Sequence, residues 1–270
     1  MQVASTNRIA VVGPLVDKAN VNLCVANANP CMGMMSQLNN ESIHVWTLMD
    51  VQNDCAELRE VLSEDELQIA SRFCFPHLVS SYIGIHGWMR RLLGLYLDID
   101  PQSLKFVVNE FGKPALAGPH GNLQFNLSHS ASVAVLALCK DAAIGIDIEA
   151  IRLVEDWEAV AAAHFSRSEY HALQAEPTHE RNAAFLRCWT RKEALLKAMG
   201  VGLSLDPATF EVGIAKLNSG ESIIFQGVDE VNSKWIMTDM QTIPGYIASL
   251  VVEGQKRKIT QFEWRGENHG

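Results

Sequence analysis

The stretch Ile144–Glu149, IGIDIE, limits what this chain can fold into more than any other segment. Successive side chains of a β-strand point to opposite faces, so residues two apart share a face. Ile144, Ile146 and Ile148 therefore form an apolar face, and Asp147 and Glu149 share the other with Gly145, which leaves room beside them. The isoleucines require a packed layer. The carboxylates, about 7 Å apart along the backbone, repel one another unless water or a cation separates them. Taken alone, the acidic face reads as a solvated strand face at a sheet edge.

Other periodic segments flank this strand. IHVWTLMDV, from Ile43, alternates like a strand. Ser63 followed by Glu66 forms a capping box that opens a helix over LSEDELQIASRF, and Tyr82–Leu97 is a second helical run. LKFVVNEFGKPAL reads as a strand and a Gly-Lys-Pro turn, and LQFNLSHSASVAVLALC as two short strands around a polar centre. A similar order then recurs. HFSRSEYHALQAE carries a second capping box at Ser166 and Glu169, and a helix over Phe185–Met199 stops at Gly200. FEVGIAKL, SIIFQGV, KWIMTDM and GYIASLVVE read as strands. The expected class is α+β, in two similar halves over 43–142 and 143–255 with a boundary near Ala142. Residues 1–42, with Asn-, Met- and Gly/Pro-containing stretches, are expected to be an extension, loose in part, and 256–270 a polar tail.

Composition excludes several function classes. A net charge of −9 argues against a general nucleic-acid binder. The longest apolar run, near Ala131–Cys139, is too short to span a membrane, and no basic-then-apolar signal opens the chain. Of six cysteines, none forms a C-x-x-C pair or shows zinc spacing with histidines. Cys139 and Cys188 sit in apolar patterns and are expected as small core residues, which favours a reducing, cytoplasmic setting.

The chemistry-bearing residues fall in four places. On the helix FLRCWTRKEALLKAM, positions 185, 189, 193 and 197 lie on one line, so Glu193 and Lys197 share a stripe with Phe185 and Trp189. A surface Glu–Lys pair is the plain account of that stripe. Together with the Asp-x-Glu strand, however, a helical glutamate completes a set of hard oxygen ligands suited to Mg²⁺. In FNLSHS, Asn126, Ser128 and Ser130 share one strand face and His129 the other. Neighbours on a strand point apart and no G-x-S-x-G elbow is present, so a hydrolase is a poor reading; hydroxyl and imidazole donors suit phosphate. In EFGKPAL, Gly112 and Pro114 make a turn that presents Lys113. The common glycine-rich nucleotide-binding loops are absent from the sequence.

Individually these motifs are weak. In the order FGKPAL, FNLSHS, IGIDIE and WTRKEALLKAMGVGLSL, they resemble the 4′-phosphopantetheinyl transferase superfamily, of the long Sfp type, over roughly Leu62–Phe210. The resemblance implies two similar α+β halves on a pseudo-twofold axis, with coenzyme A in the cleft between them. It implies Mg²⁺ on Asp147, Glu149 and Glu193, with Glu193 and Lys197 as catalytic groups. Lys113, Ser128, His129, Lys192 and Lys197 would contact coenzyme A, and Trp189 would bury against the sheet. The activity implied is transfer of the phosphopantetheine arm to a serine of an apo acyl or peptidyl carrier protein by a monomeric enzyme. The chain departs from the pattern at Ser80 and Ser81, where an arginine is common; Arg72 is retained.

A magnesium pyrophosphohydrolase and a non-catalytic coenzyme A or carrier-binding module are the rival readings. The intact Asp147, Glu149, Glu193 and Lys197 set argues against the module, and the chain's length argues against the short trimeric carrier synthases. Carrier docking is expected at Phe165, with Arg187 and Arg191 nearby.

Overall fold

The alternating segments become strands and pair into two five-stranded sheets. The computed structural model describes residues 10–12, 21–22, 35–51, 56–218, 221–226, 233–241 and 243–264. Its strands are β1 (Ala10–Val12), β2 (Val21–Asn22), β3 (Ser42–Met49), β4 (Phe106–Val108), β5 (Pro114–Leu116) and β6 (Leu123–Ser130). They continue as β7 (Val133–Lys140), β8 (Ile144–Ala150), β9 (Ser222–Gln226), β10 (Lys234–Asp239), β11 (Tyr246–Glu253) and β12 (Lys258–Trp264). The first sheet runs β2-β12-β3-β7-β6 and the second β1-β9-β10-β11-β8, while β4 and β5 form a separate hairpin. The helices are α1 (Ala56–Glu60), α2 (Glu64–Ser71), α3 (Pro76–Leu97), α4 (Trp157–His164), α5 (Arg167–Ala175) and α6 (Thr178–Met199). The α+β class expected from the sequence is the class observed.

Each sheet is backed by one 22-residue helix. Ile85, Trp88, Leu92 and Leu93 of α3 pack on Trp46, Leu136, Leu138 and Phe262 of the first sheet. Phe185, Cys188, Leu195 and Leu196 of α6 share a core with Phe225, Trp235, Met237 and Val251 of the second. A third core lies between the sheets, where Ile43, Val45, Val133 and Val135 meet Ile144, Ile146, Ile148 and Leu250. The three isoleucines of IGIDIE thus point into the seam, which leaves Asp147 and Glu149 on the helix side. Both capping boxes form, at Ser63–Glu66 and Ser166–Glu169. Cys139 and Cys188 are buried free thiols, as expected. No described helix is long and apolar enough to cross a membrane.

Polar side chains buried at the first core find partners there. Tyr96 Oη accepts from Trp46 Nε1 at 2.9 Å and lies 2.6 Å from His44 Nδ1. An indole N–H only donates, so the tyrosine proton is free for His44 Nδ1, which can accept it when the neutral ring carries its proton on Nε2. Burial holds that imidazole at about 4. Arg90, buried on α3, donates to Glu66 Oε2 at 2.7 Å and to the carbonyls of Pro101 and Leu104.

Three expectations are corrected. FEVGIAKL is not a strand: Phe210, Val212 and Ile214 are buried in alternation, but its backbone bonds to side chains. Glu169 Oε1 accepts from Val212 N and Gly213 N, and Arg191 donates to the carbonyls of Val212, Gly213 and Ala215. The polar tail over 256–270 contains a strand, because β12 runs parallel to β3 and buries Phe262 beside Trp46. The described parts of residues 1–42 join the fold: β1 pairs with β9, β2 with β12, and Met35 and Leu38 enter the first core. The remaining expectations for residues 1–42, and those for Cys24, Cys31 and Cys55, lie outside the described residues.

Candidate active site

The site forms where β8, β6 and α6 meet. Gly145 is the reason that α6 touches β8: a Cβ at this position would overlap Ala194 O and Ala198 N. The room that the glycine offers is taken by the helix backbone. Glu193 and Lys197, one turn apart on α6, therefore lie against Asp147 and Glu149 of the strand. The rest of the motif holds the helix. Trp189 stacks on Phe185 at 6.3 Å and meets the His164 ring edge-on. Thr190 Oγ1 lies 3.1 Å from Ser249 Oγ, and Arg191 Nη2 pairs with Asp239 Oδ2 at 2.6 Å.

Asp147 is the buried centre, 5% exposed. Its Oδ1 accepts from Lys197 Nζ at 2.6 Å and from Ser128 Oγ at 2.9 Å. Its Oδ2 is buried without a hydrogen-bond partner. Burial pushes this carboxyl above the ordinary aspartate range, against the pull of Lys197. Glu193 is raised as well, first by burial and then by the like charge of Asp147. Glu149 Oε2 accepts from Ser130 Oγ at 2.8 Å.

Strand β6 explains FNLSHS. β6 is the outermost strand of one sheet and β8 of the other. Asn126 Oδ1, Ser128 Oγ and Ser130 Oγ accept from the N–H groups of Ile146, Ile148 and Ala150 at 2.8, 3.4 and 3.1 Å. Three side chains at period two thus stand in for a missing strand ladder. An apolar side chain there would leave an N–H group unpaired at this edge, at a cost of about 1–3 kcal/mol each where it is buried.

A sequence profile of the 4′-phosphopantetheinyl transferase superfamily matches residues 143–251, the segment that holds β8 and α6. The 4′-phosphopantetheinyl transferase HetI of Nostoc sp. is 37% identical over 171 residues, 62% of this chain and 72% of that protein. The chain belongs to the 4′-phosphopantetheinyl transferase superfamily. The transferase psf-1 of Bacillus pumilus is 30% identical over 162 residues, 59% of this chain and 67% of that protein. The transferase AcpT of Salmonella typhimurium is 43% identical over 96 residues, 36% of this chain and 50% of that protein. The match to AcpT thus spans about half of that relative's length.

Within this phosphopantetheinyl transferase chain, the fold brings Ser128, Asp147, Glu149, Glu193 and Lys197 together. The three carboxylates do not close into a metal-sized cluster; no group of three or more His, Cys, Asp or Glu does so among the described residues. Carboxylates without a cation between them separate or take an ammonium instead, as Asp147 does with Lys197. The orphaned Asp147 Oδ2, a hard oxygen beside two further carboxylates, fits a divalent cation.

Two lysines are placed elsewhere. Lys192, 2% exposed, pairs with Glu169 Oε2 at 2.8 Å and donates to the carbonyls of Pro207 and Phe210, on the core side of α6. Lys113 Nζ donates to Ile144 O and Ala198 O at 3.1 and 2.9 Å, and burial draws it down to about 8. Each ammonium is taken up by structural partners in this structure. The docking residues also move: Phe165 and Arg191 are buried, and Arg187 donates to Ile214 O.

His129 is exposed on the α3 side of β6. Although the residue as a whole is exposed, partial desolvation of its imidazole, then the charges of Lys197 and His86, hold it below the ordinary histidine value. His86 itself stacks on Tyr82 at 4.0 Å. Sequence reasoning missed this aromatic pair beside His129, and its only signal was the four-residue spacing on α3.

Proposed function

We propose that the chain transfers the 4′-phosphopantetheine arm of coenzyme A to a serine of an apo acyl or peptidyl carrier protein, with Mg²⁺ as cofactor. The observation that carries this reading is the orphaned buried oxygen of Asp147 beside the Lys197 ammonium, with Glu149 and Glu193 alongside. Asp147, Glu149 and Glu193 would hold Mg²⁺, which supplies charge neutralisation for the coenzyme pyrophosphate.

The chain's own groups do the rest. Glu193, kept basic by burial and by Asp147, accepts the proton of the carrier serine. The serine oxygen then attacks the phosphorus next to pantetheine. The bond from that phosphorus to the bridging oxygen of the pyrophosphate breaks, and 3′,5′-ADP leaves. Lys197 neutralises charge on the departing group, and it is exposed enough to turn from Asp147 toward it. His129, whose imidazole is held below the ordinary histidine value by desolvation, offers a ring N–H to a coenzyme phosphate. The carrier meets exposed apolar side chains just past Glu149, Ile151 at 49% and Leu153 at 74% exposure. All of these groups come from one chain, which supports action as a monomer.

The direct test is incubation with coenzyme A, Mg²⁺ and a panel of apo carriers, read by intact mass. A carrier that gains one phosphopantetheine supports the reading. If no carrier gains it, while coenzyme A is cleaved, a pyrophosphohydrolase replaces it.

A further inference from the structure

Among the three side chains of β6 that cap the edge of β8, two hydroxyls also touch carboxylates. Ser128 is crowded, accepting from Lys197 Nζ at 3.0 Å and donating to Asp147. Ser130 makes a simpler and more directional arrangement. Its Oγ accepts from Ala150 N at 3.1 Å and donates to Glu149 Oε2 at 2.8 Å. A hydroxyl has one proton, and the backbone N–H occupies a lone pair, so the proton is left to the carboxylate. Glu149 lies on the same strand one residue before Ala150. The strand edge thus fixes the serine, and the serine fixes the side chain next to the bond that anchors it.

We propose that Ser130 is a positioning residue that holds the Glu149 carboxylate toward the divalent cation. This inference rests on the metal reading above. Glu149 is only half-buried, and three rotatable bonds separate its carboxylate from the backbone. Without the hydroxyl its carboxylate loses the bond that fixes its direction. Partners that orient a ligating carboxylate in this way set metal affinity on a scale of about 10–100-fold.

The test measures Mn²⁺ binding by electron paramagnetic resonance in the presence of coenzyme A, with melting temperature alongside. Ser130→Ala is expected to weaken Mn²⁺ binding by about 10-fold or more. Ser130→Thr, which keeps the hydroxyl, restores it. In a Glu149→Ala background, Ser130→Ala has no further effect, because its route to the metal is gone. Should Ser130→Ala not fold, Ser130→Cys, isosteric with a weak donor, carries the same comparison. Unchanged affinity in Ser130→Ala overturns the proposal, as does equal weakening with and without Glu149. If the unaltered protein binds no Mn²⁺ with coenzyme A, the metal reading falls and the role of Ser130 falls with it. That outcome differs from a binding protein that ignores Ser130.

Discussion

Lys113 Nζ and the carbonyl oxygen of Ala198 are hydrogen-bonded at 2.9 Å, so the turn after β4 is tied to the last turn of the helix that carries Glu193 and Lys197. A second bond, to Ile144 O, ties the same turn to the start of β8. Hydrogen bonds from a charged donor contribute about 1.5–3 kcal/mol. Lys113→Ala is therefore expected to lower Tm by about 3–12 °C, at about 2–4 °C per kcal/mol for a chain of this size. An unchanged Tm with a raised KM for coenzyme A would return Lys113 to the coenzyme.

Lys192 and Glu169 make the larger structural contribution. Removing one partner of a buried ion pair costs about 3–5 kcal/mol, because a charge is left without compensation. Lys192→Met should thus lower Tm by about 10 °C. The double variant with Glu169→Gln should recover part of the loss, since the glutamine oxygen still accepts from Val212 and Gly213. Thermal scans of the three variants decide the matter. A normal Tm in Lys192→Met, coupled to poor coenzyme A binding, would contradict it.

Asp147 is held at a cost to the fold. Burial disfavours its charged form, and one of its oxygens has no partner. Asp147→Asn should leave Tm unchanged or raise it, while transfer falls by at least about 100-fold, the scale of a single transition-state contact. Near-normal transfer rates at limiting Mg²⁺ would contradict the proposal that Asp147 holds a metal ion.

His44 makes stability depend on pH. Its folded value of about 4 lies below the ordinary 6.5 of an unfolded chain, so the unfolded state binds more protons between the two. Its contribution is complete above pH 6.5 and is lost as pH falls toward 4, on the order of 3 kcal/mol. His44→Gln should flatten the Tm profile across that window. A parallel decline in both proteins would assign the acid sensitivity elsewhere.

Removal of residues 1–41 should destabilise the protein, although the sequence reads there as an extension. Met35 is 7% and Leu38 3% exposed in the first core. Two such side chains contribute about 1.5–3 kcal/mol each. A truncated protein with an unchanged Tm and unchanged activity would refute this.

Local signals carried much of the fold. The period-two alternation of IGIDIE placed its isoleucines in the seam, and the four-residue stripe on α6 placed Glu193 and Lys197 beside Asp147. Capping boxes were readable because both partners lie within one turn. What escaped depends on distant segments. Nothing near Lys113 announces the carbonyl of Ala198, 85 residues away. The parallel pairing of β12 with β3 joins segments far apart in the sequence, and the charged residues around Phe262 mask its burial. FEVGIAKL copies the burial pattern of a strand while giving its backbone to Arg191 and Glu169. FNLSHS was read as a phosphate contact, yet three of its polar side chains first satisfy a neighbouring backbone.

That satisfaction has a consequence for solubility. An unpaired strand edge is a template on which a second chain can add its own strand. Here the outer edges of β6 and β8 close on each other through Asn126, Ser128 and Ser130. The candidate site therefore lies beside an edge whose donors are already occupied. An extended segment of a partner protein that reaches the carboxylates finds these three N–H groups taken and gains little there by continuing the sheet.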